Sequence, residues 1–296
     1  MQDTDIKRLN SECIICLLNK YIKSIPDNIS EELKVKYIKK VLSIIARAKD
    51  NASAPEILEG IIRAQKKNIL GIKTSYIKIK HYYNQLMLLK EDEIRKEIDT
   101  SADSFKTALL YAMVGNYIDF GAMDTVNEKK LNKMLSAVED KEVNKVEVEN
   151  LRQEIIVAKK LVYLTDNCGE IVLDKLFIEQ IKKLNPALKI SVIVRGKDIL
   201  NDCTTTDAKE VGMYEIADVV SNGTAIAGTC LGKISAEAKD LIDNADVIIS
   251  KGQGNFETLR FCQRNIYYLF LCKCEMIARR LKSPILKGML LNDKRM

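Results

Sequence analysis

Across residues 28–48 the apolar side chains Leu33, Ile38, Val41, Leu42 and Ile45 recur at the spacing that lines one face of an α-helix. Asn28 and Glu31 have capping-box spacing and set the expected start of that helix. The same periodicity predicts helices over 54–68, 76–89, 104–119 and 128–160, with no alternating strand pattern between them. Near Lys159 the texture changes. Short β-rich runs, Leu161-Val-Tyr-Leu-Thr165, Ile190-Ser-Val-Ile-Val194 and Val247-Ile-Ile-Ser250, alternate with helical stretches, one of which is expected over 170–184. Weaker runs at 218–221 and 267–271 add two strands, the last at a sheet edge. That alternation predicts an α/β fold: a Rossmann-like, mostly parallel sheet flanked by helices, with an all-helical N-terminal domain (1–158) packed against an α/β catalytic domain (159–296).

Composition narrows the class. The chain has 296 residues, 47% hydrophobic and 30% charged, and no run approaches the roughly 18 uncharged apolar residues of a membrane span. Acidic Asp3 and Asp5 stand where a secretory signal would be basic, so the expected location is the cytoplasm. The formal charge of +6 comes from scattered lysines with little aromatic interleaving, which argues against a nucleic-acid surface. Eight cysteines in so long a chain do not form a small disulfide scaffold and are expected to be reduced.

Residues leaving the C-terminal ends of parallel strands form the usual ligand crevice of such folds. Here those exits carry Thr165-Asp-Asn-Cys-Gly-Glu170, then Arg195-Gly-Lys197 leading to Asn201-Asp202, then Lys251-Gly-Gln-Gly-Asn255. Asp166, Asn167 and Asp202 are hard oxygen donors suited to a divalent cation such as Mg²⁺, Mn²⁺, Co²⁺ or Ni²⁺. Arg195 and Lys251 supply positive charge, and the combination suits a phosphorylated small molecule attacked by metal-activated water. Each motif by itself also reads as turn and N-cap chemistry; their occurrence after three strands is what points to a site.

At these residues the sequence resembles the damage-control phosphatase family, a metal-dependent group that includes proteins described as protein-glutamate methyltransferases. The likeness rests on Asp166-Asn-Cys-Gly-Glu170 with Asp174, on Val194-Arg-Gly-Lys197 with Asn201-Asp202, and on Ser250-Lys-Gly-Gln-Gly-Asn-Phe-Glu257. Gly115-Asn-Tyr-Ile-Asp-Phe-Gly121 and Cys13-Ile-Ile-Cys16 extend it through the helical half, the latter resembling a prokaryotic CxxC-bearing branch. The resemblance implies that Asp166, Asn167 and Asp202 bind metal and that Glu170, Arg195, Lys251 and Asn255 line the phosphoryl pocket. Asp166, Asp202 and Lys251 are the expected catalytic residues. Asn116 and Asp119, three apart on the 104–119 helix, are expected to share a face and reach the same pocket. Cys168 and Cys203 stand where alanine is more familiar.

The implied activity is hydrolysis of a small phosphomonoester, with carboxyl methylation and a thiol or metal sensor as the alternatives. Cys13 and Cys16 fit a redox pair, half of a metal site, or packing. His81, the only histidine, lies in a Lys- and Tyr-rich stretch and reads as a surface or packing residue.

Overall fold

The structure is a computed structural model describing residues 9–49, 51–64, 69–71, 75–121 and 126–296. Helices come first: α1 (Ser11–Lys23), α2 (Glu31–Ala46), α3 (Ala54–Ala64), α4 (Ile77–Leu88), α5 (Glu91–Thr100), α6 (Ser104–Gly115), α7 (Glu128–Ser136) and α8 (Lys145–Val157). Strands and helices then alternate: β1 (Lys160–Leu164), α9 (Glu170–Leu184), β2 (Lys189–Val194), α10 (Thr205–Glu210), β3 (Asp218–Ser221), α11 (Ala236–Asp243), β4 (Val247–Lys251) and α12 (Gln253–Leu259). The chain finishes with β5 (Ile266–Leu271), α13 (Glu275–Arg280) and β6 (Gly288–Asn292). The sheet order is β3-β2-β1-β4-β5-β6, parallel except for antiparallel β6. This is the mostly parallel, helix-flanked sheet that the alternation predicts.

Several boundaries differ from expectation for identifiable reasons. Ser30, not Asn28, caps α2, its hydroxyl accepting from Leu33 N, because Ser30 is the last extended residue before the helix. The 128–160 stretch is two helices, since the Asn144 side chain accepts from Val146 N and Glu147 N and starts α8 afresh. The expected helix over 104–119 ends at Gly115, with Asn116 as its C-cap. Residues 65–68 at the end of the expected 54–68 helix lie outside the described residues. α5, a polar ten-residue helix that buries Ile94 and Ile98, and β6, a five-residue strand, are additions to the expected elements. β6 pairs with β5 and converts the expected edge strand into an interior one, buried at all six positions.

Period-2 alternation in the strands splits the core into two layers. Leu161, Tyr163, Val192, Val194, Ile249, Tyr267 and Leu269 face α6 and α9. Val162, Leu164, Ile193, Ile248, Tyr268 and Phe270 face α11, α12 and α13. α6 is buried from Thr107 through Gly115, and α9 from Glu170 through Ile178, so neither shows the amphipathic stripe of a surface helix. A third apolar cluster joins Leu17 and Tyr21 of α1, Tyr37 and Val41 of α2 and Ile57 and Ile61 of α3 to Ile199 and Leu200. Because Asn201-Asp202 follow at once, this cluster seats the first three helices beside a candidate site loop.

The loops after β2 and β3 cross closely at Gly196, where an added Cβ would stand 2.3 Å from Gly223 Cα. Gly196→Ala is therefore expected to lower stability by about 1–3 kcal/mol. Gly232→Ala, where nothing lies within 4 Å, should stay within about 0.5 kcal/mol of the parent in urea denaturation.

Candidate active site

β1 and β4 are neighbours, yet the chain leaves β1 toward β2 on one side and β4 toward β5 on the other. That reversal opens a crevice beyond their C-terminal ends. Asp166 and Asn167 stand there after β1, and an isolated antiparallel bridge pairs Asn167 with Asp202 from the loop after β2. Cys203 N donates to Asp166 O at 2.8 Å, and Cys168 N to Asn201 O at 2.8 Å, so the two loops are bound by backbone. Gly252, at the exit of β4, has φ +79° and packs so closely that a Cβ would lie 2.0 Å from Asp166 Oδ2. Only glycine lets the third loop approach this carboxylate.

Arg195 is 2% exposed and fills the space between the loops. Its Nε donates to Asp202 Oδ2 at 2.7 Å, Nη1 to Asn255 Oδ1 at 3.2 Å and Nη2 to Asp166 Oδ1 at 3.5 Å. Asn255 accepts also from Thr229 Oγ1 and donates to Thr165 O and Lys251 O, which ties α12 to both strand ends. Lys251 is fully buried, and its ammonium donates to Ala112 O at 2.8 Å, Glu170 Oε1 at 2.7 Å and Asp174 Oδ1 at 2.5 Å. Asp174 accepts in addition from Tyr163 Oη at 2.8 Å. Asn116 reaches in from the end of α6: its Nδ2 donates to Asp166 Oδ2 and to Glu170, each at 3.1 Å, and its Oδ1 accepts from Leu271 N at 3.0 Å. Asp119 lies past the helix end, where its Oδ2 accepts from Lys273 Nζ at 2.6 Å and its Oδ1 from Gly121 N. Asn116 and Asp119 thus meet the crevice from a cap and a turn, not from one helical face.

A cavity of about 600 Å³ opens over this assembly. Asp119, Asp166, Asn167 and Asp202 reach its surface, whereas Asn116, Glu170, Arg195, Lys251 and Asn255 stand behind them. Burial raises the Asp166 pKa well above the carboxylate range, helped by the charges of Asp202, Glu170 and Asp119 and opposed by Arg195. Burial likewise raises Asp202 to about 6, with Arg195 opposing and Asp119 adding to the rise. Beyond burial, neighbouring carboxylates add to both rises, and such crowding of acidic groups favours a divalent cation. Of the donors facing the void, the carboxylates of Asp166 and Asp202 and the amide of Asn167 are hard oxygens that fit such an ion.

The chain matches the model of the damage-control phosphatase ARMT1-like domain over residues 9–285. The chain belongs to that family. The damage-control phosphatase PH1575 of Pyrococcus horikoshii is 31% identical over 288 residues, covering 94% of this chain and 95% of the relative. Protein MJ0202 of Methanocaldococcus jannaschii is 30% identical over 289 residues, covering 93% and 92%. A damage-control phosphatase of Archaeoglobus fulgidus is 28% identical over 278 residues, covering 92% and 94%. The crystal structure of the Pyrococcus horikoshii protein superposes with a TM-score of 0.81 at 25% identity, covering 97% of this chain and 99% of that one. These likenesses support a phosphatase role.

In this member of the family, the cavity also exposes Lys20 on α1 and Lys273 just after β5, which the strand-exit argument does not reach, and Gln253 and Glu257 on α12, which lie in the third strand-exit motif without an assigned task. The sequence signal for Lys273 is its place just after the β-rich run 267–271, which the pattern puts at a sheet edge. Cys13, Cys16 and Cys274 line the same cavity. Among the described residues no three His, Cys, Asp or Glu side chains are gathered as a metal site. Cys168 and Cys203 are buried behind Asn167 and Asp202 with their sulfurs 3.6 Å apart. His81 sits at the surface beside Glu210, away from the cavity.

Two expectations follow. Replacing Lys251 by Met leaves Glu170 and Asp174 buried without their cation, and urea denaturation should register a loss of about 3–5 kcal/mol. Burial raises Glu257 from 4.5 to about 7. A carboxyl whose folded pKa is raised loses stability as pH climbs from the unfolded value to the folded one. The stability advantage of Glu257→Gln over wild type should therefore open above about pH 4.5 and level off above about pH 7, read from urea midpoints across that range.

Proposed function

We propose that this protein is a divalent-metal-dependent phosphatase that hydrolyses phosphomonoesters of a small metabolite. The observation that carries the reading is the convergence of Asp166, Asn167 and Asp202 on the floor of the cavity, with surplus negative charge around them. These three would hold the ion, which supplies Lewis acidity and a more acidic water.

The protein's own residues then have distinct tasks. Arg195 fixes Asp202 and Asp166 in place, since its donors already meet Asp202, Asp166 and Asn255. Lys251 acts on the site through Glu170, whose other bonds to Asn116 and Asn167 hold the amides near Asp166. Neither cation has a donor pointed at the cavity, so both serve as positioning residues. Asn116 supports Asp166 from the helical half. Leu17, Tyr21, Leu58 and Leu200 wall the outer cavity and would receive the organic part of the substrate. The eight cysteines are free thiols, and no helix among the described residues is long and apolar enough to cross a membrane. Free thiols accord with the reducing cytoplasm that we propose as its setting.

The test is hydrolysis of p-nitrophenyl phosphate by chelator-stripped protein, with Mg²⁺, Mn²⁺, Co²⁺ and Ni²⁺ restored separately. At least one metal should restore turnover. Asp202→Ala should lower that turnover on the order of 100-fold or more while keeping the far-UV circular dichroism of the parent. Full turnover in the stripped protein, or in Asp202→Ala, would overturn the assignment.

A further inference from the structure

The cavity has a second end, along α12, where its wall is acidic again. Glu12 on α1, Glu257 on α12 and Glu275 at the start of α13 all line it. Among the described residues the cationic side chains on the cavity wall are Lys20 and Lys273. Both are bonded to the turn at 119–121, Lys20 to the Gly121 carbonyl and Lys273 to Asp119 Oδ2. Asn201 holds that turn against the Asp202 loop, accepting from Phe120 N and donating to Ile118 O. Positive charge on the wall is therefore drawn toward the ion-binding carboxylates, and none of it meets Glu257. We propose that Glu257 is the specificity-determining residue of this site, receiving an ammonium group on the organic part of the substrate, so that the substrate class is an amine-bearing phosphomonoester.

The placement follows from α12. Its N-cap Gly252 lies against Asp166, and from there to Glu257 the helix advances roughly 7 Å. A substrate whose phosphoryl group meets the ion can thus present a remote substituent to Glu257. Gln253 Oε1 accepts from Lys273 N and Cys274 N, each at 3.1 Å, which turns its Nε2 toward Glu257 Oε1 at 3.0 Å. Among the described residues that is the one hydrogen bond Glu257 receives, and no ion pair reaches it. Glu12, by contrast, is paired with Arg279. Burial raises the thiols of Cys13 and Cys274, and the Glu257 charge adds to both rises, so the carboxyl faces α1 and the start of α13 among neutral neighbours. Burial lifts Glu257 itself to about 7, with only the Gln253 bond opposing. A carboxylate kept on a cavity wall without a counter-ion costs stability in the free protein, and a bound ammonium recovers that cost.

This inference rests on the phosphatase reading, and the experiment separates the two. Mn²⁺-loaded wild type and Glu257→Gln are compared on D-glucosamine 6-phosphate and D-glucose 6-phosphate, for kcat/KM by phosphate release and for Kd by calorimetry. The two sugars differ by an amine against a hydroxyl, so the ratio of their values isolates that group. Wild type should favour the amino sugar by roughly 10-fold or more, the effect of one charge-assisted bond. Glu257→Gln keeps the side-chain shape and should bring the ratio near one, with circular dichroism and urea midpoints confirming that it is folded. A merely structural role moves both sugars alike and leaves the ratio where it was. That result, or a wild type that treats the sugars equally, overturns the proposal. If wild type hydrolyses neither sugar, the calorimetric ratio decides: tighter binding of the amino sugar that Glu257→Gln abolishes upholds the assignment, and equal binding, or none, overturns it. If p-nitrophenyl phosphate is also left intact under every metal, the phosphatase reading falls, and the same binding ratio still judges Glu257.

Discussion

The site depends on one buried ammonium. Lys251 lies under the crevice with no exposed surface, and its charge is matched by Glu170 and Asp174 in an interior that would otherwise expel all three. Removing a charged group from water costs several kcal/mol, and the cost is recovered only where geometry and further hydrogen bonds are complete. The bonds from Tyr163, Asn116 and Asn167, together with the Ala112 carbonyl, come close to completing it. These partners arrive from β1, β4, α6 and α9, so the network can form only when the sheet and the helical half are packed together. The geometry of the crevice and the tertiary packing are the same condition here.

The sheet explains why the carboxylates gather where they do. Strand order reverses between β1 and β4, leaving a gap beyond their ends that helices do not fill. Three loops enter that gap, and each is held to another: Asn167 to Asp202 by a bridge, Asp166 to Arg195 by an ion pair, and Asn255 to Arg195 and the β1 exit by hydrogen bonds. Carboxylates held this close together repel one another. Arg195 offsets that repulsion from behind while the cavity face stays acidic, which leaves an unmet demand for positive charge where a divalent ion would sit.

The helical half contributes more than a cover. Asn116 bridges Asp166, Glu170 and the β5 backbone, and Asp119 orients Lys273. The first three helices rest on Ile199 and Leu200 and place Leu17, Lys20 and Tyr21 on the cavity wall. α1 and α3 thus supply apolar wall to the cavity, and the strand exits its acidic floor.

Much of this was legible in the residues themselves. Alternation of β-rich and helical stretches after Lys159 determined the parallel sheet, because period-2 and period-3.6 patterns are local properties of the chain. Strand exits named Asp166, Asn167, Arg195, Asp202, Lys251 and Asn255, because their position at the sheet's edge follows from where each strand stops. What sequence alone left undecided was direction. Whether a polar residue beyond a strand points into the void or behind it depends on which partners surround it, and those partners lie dozens of residues away. Tertiary structure turned Arg195 and Lys251 inward onto carboxylates and brought Lys273 outward beside Asp119. It also moved β5 to the interior by pairing it with β6, a short strand whose pattern is too weak to read without its neighbour. Local periodicity sets the elements; long-range pairing of buried charges decides which of their ends become the site.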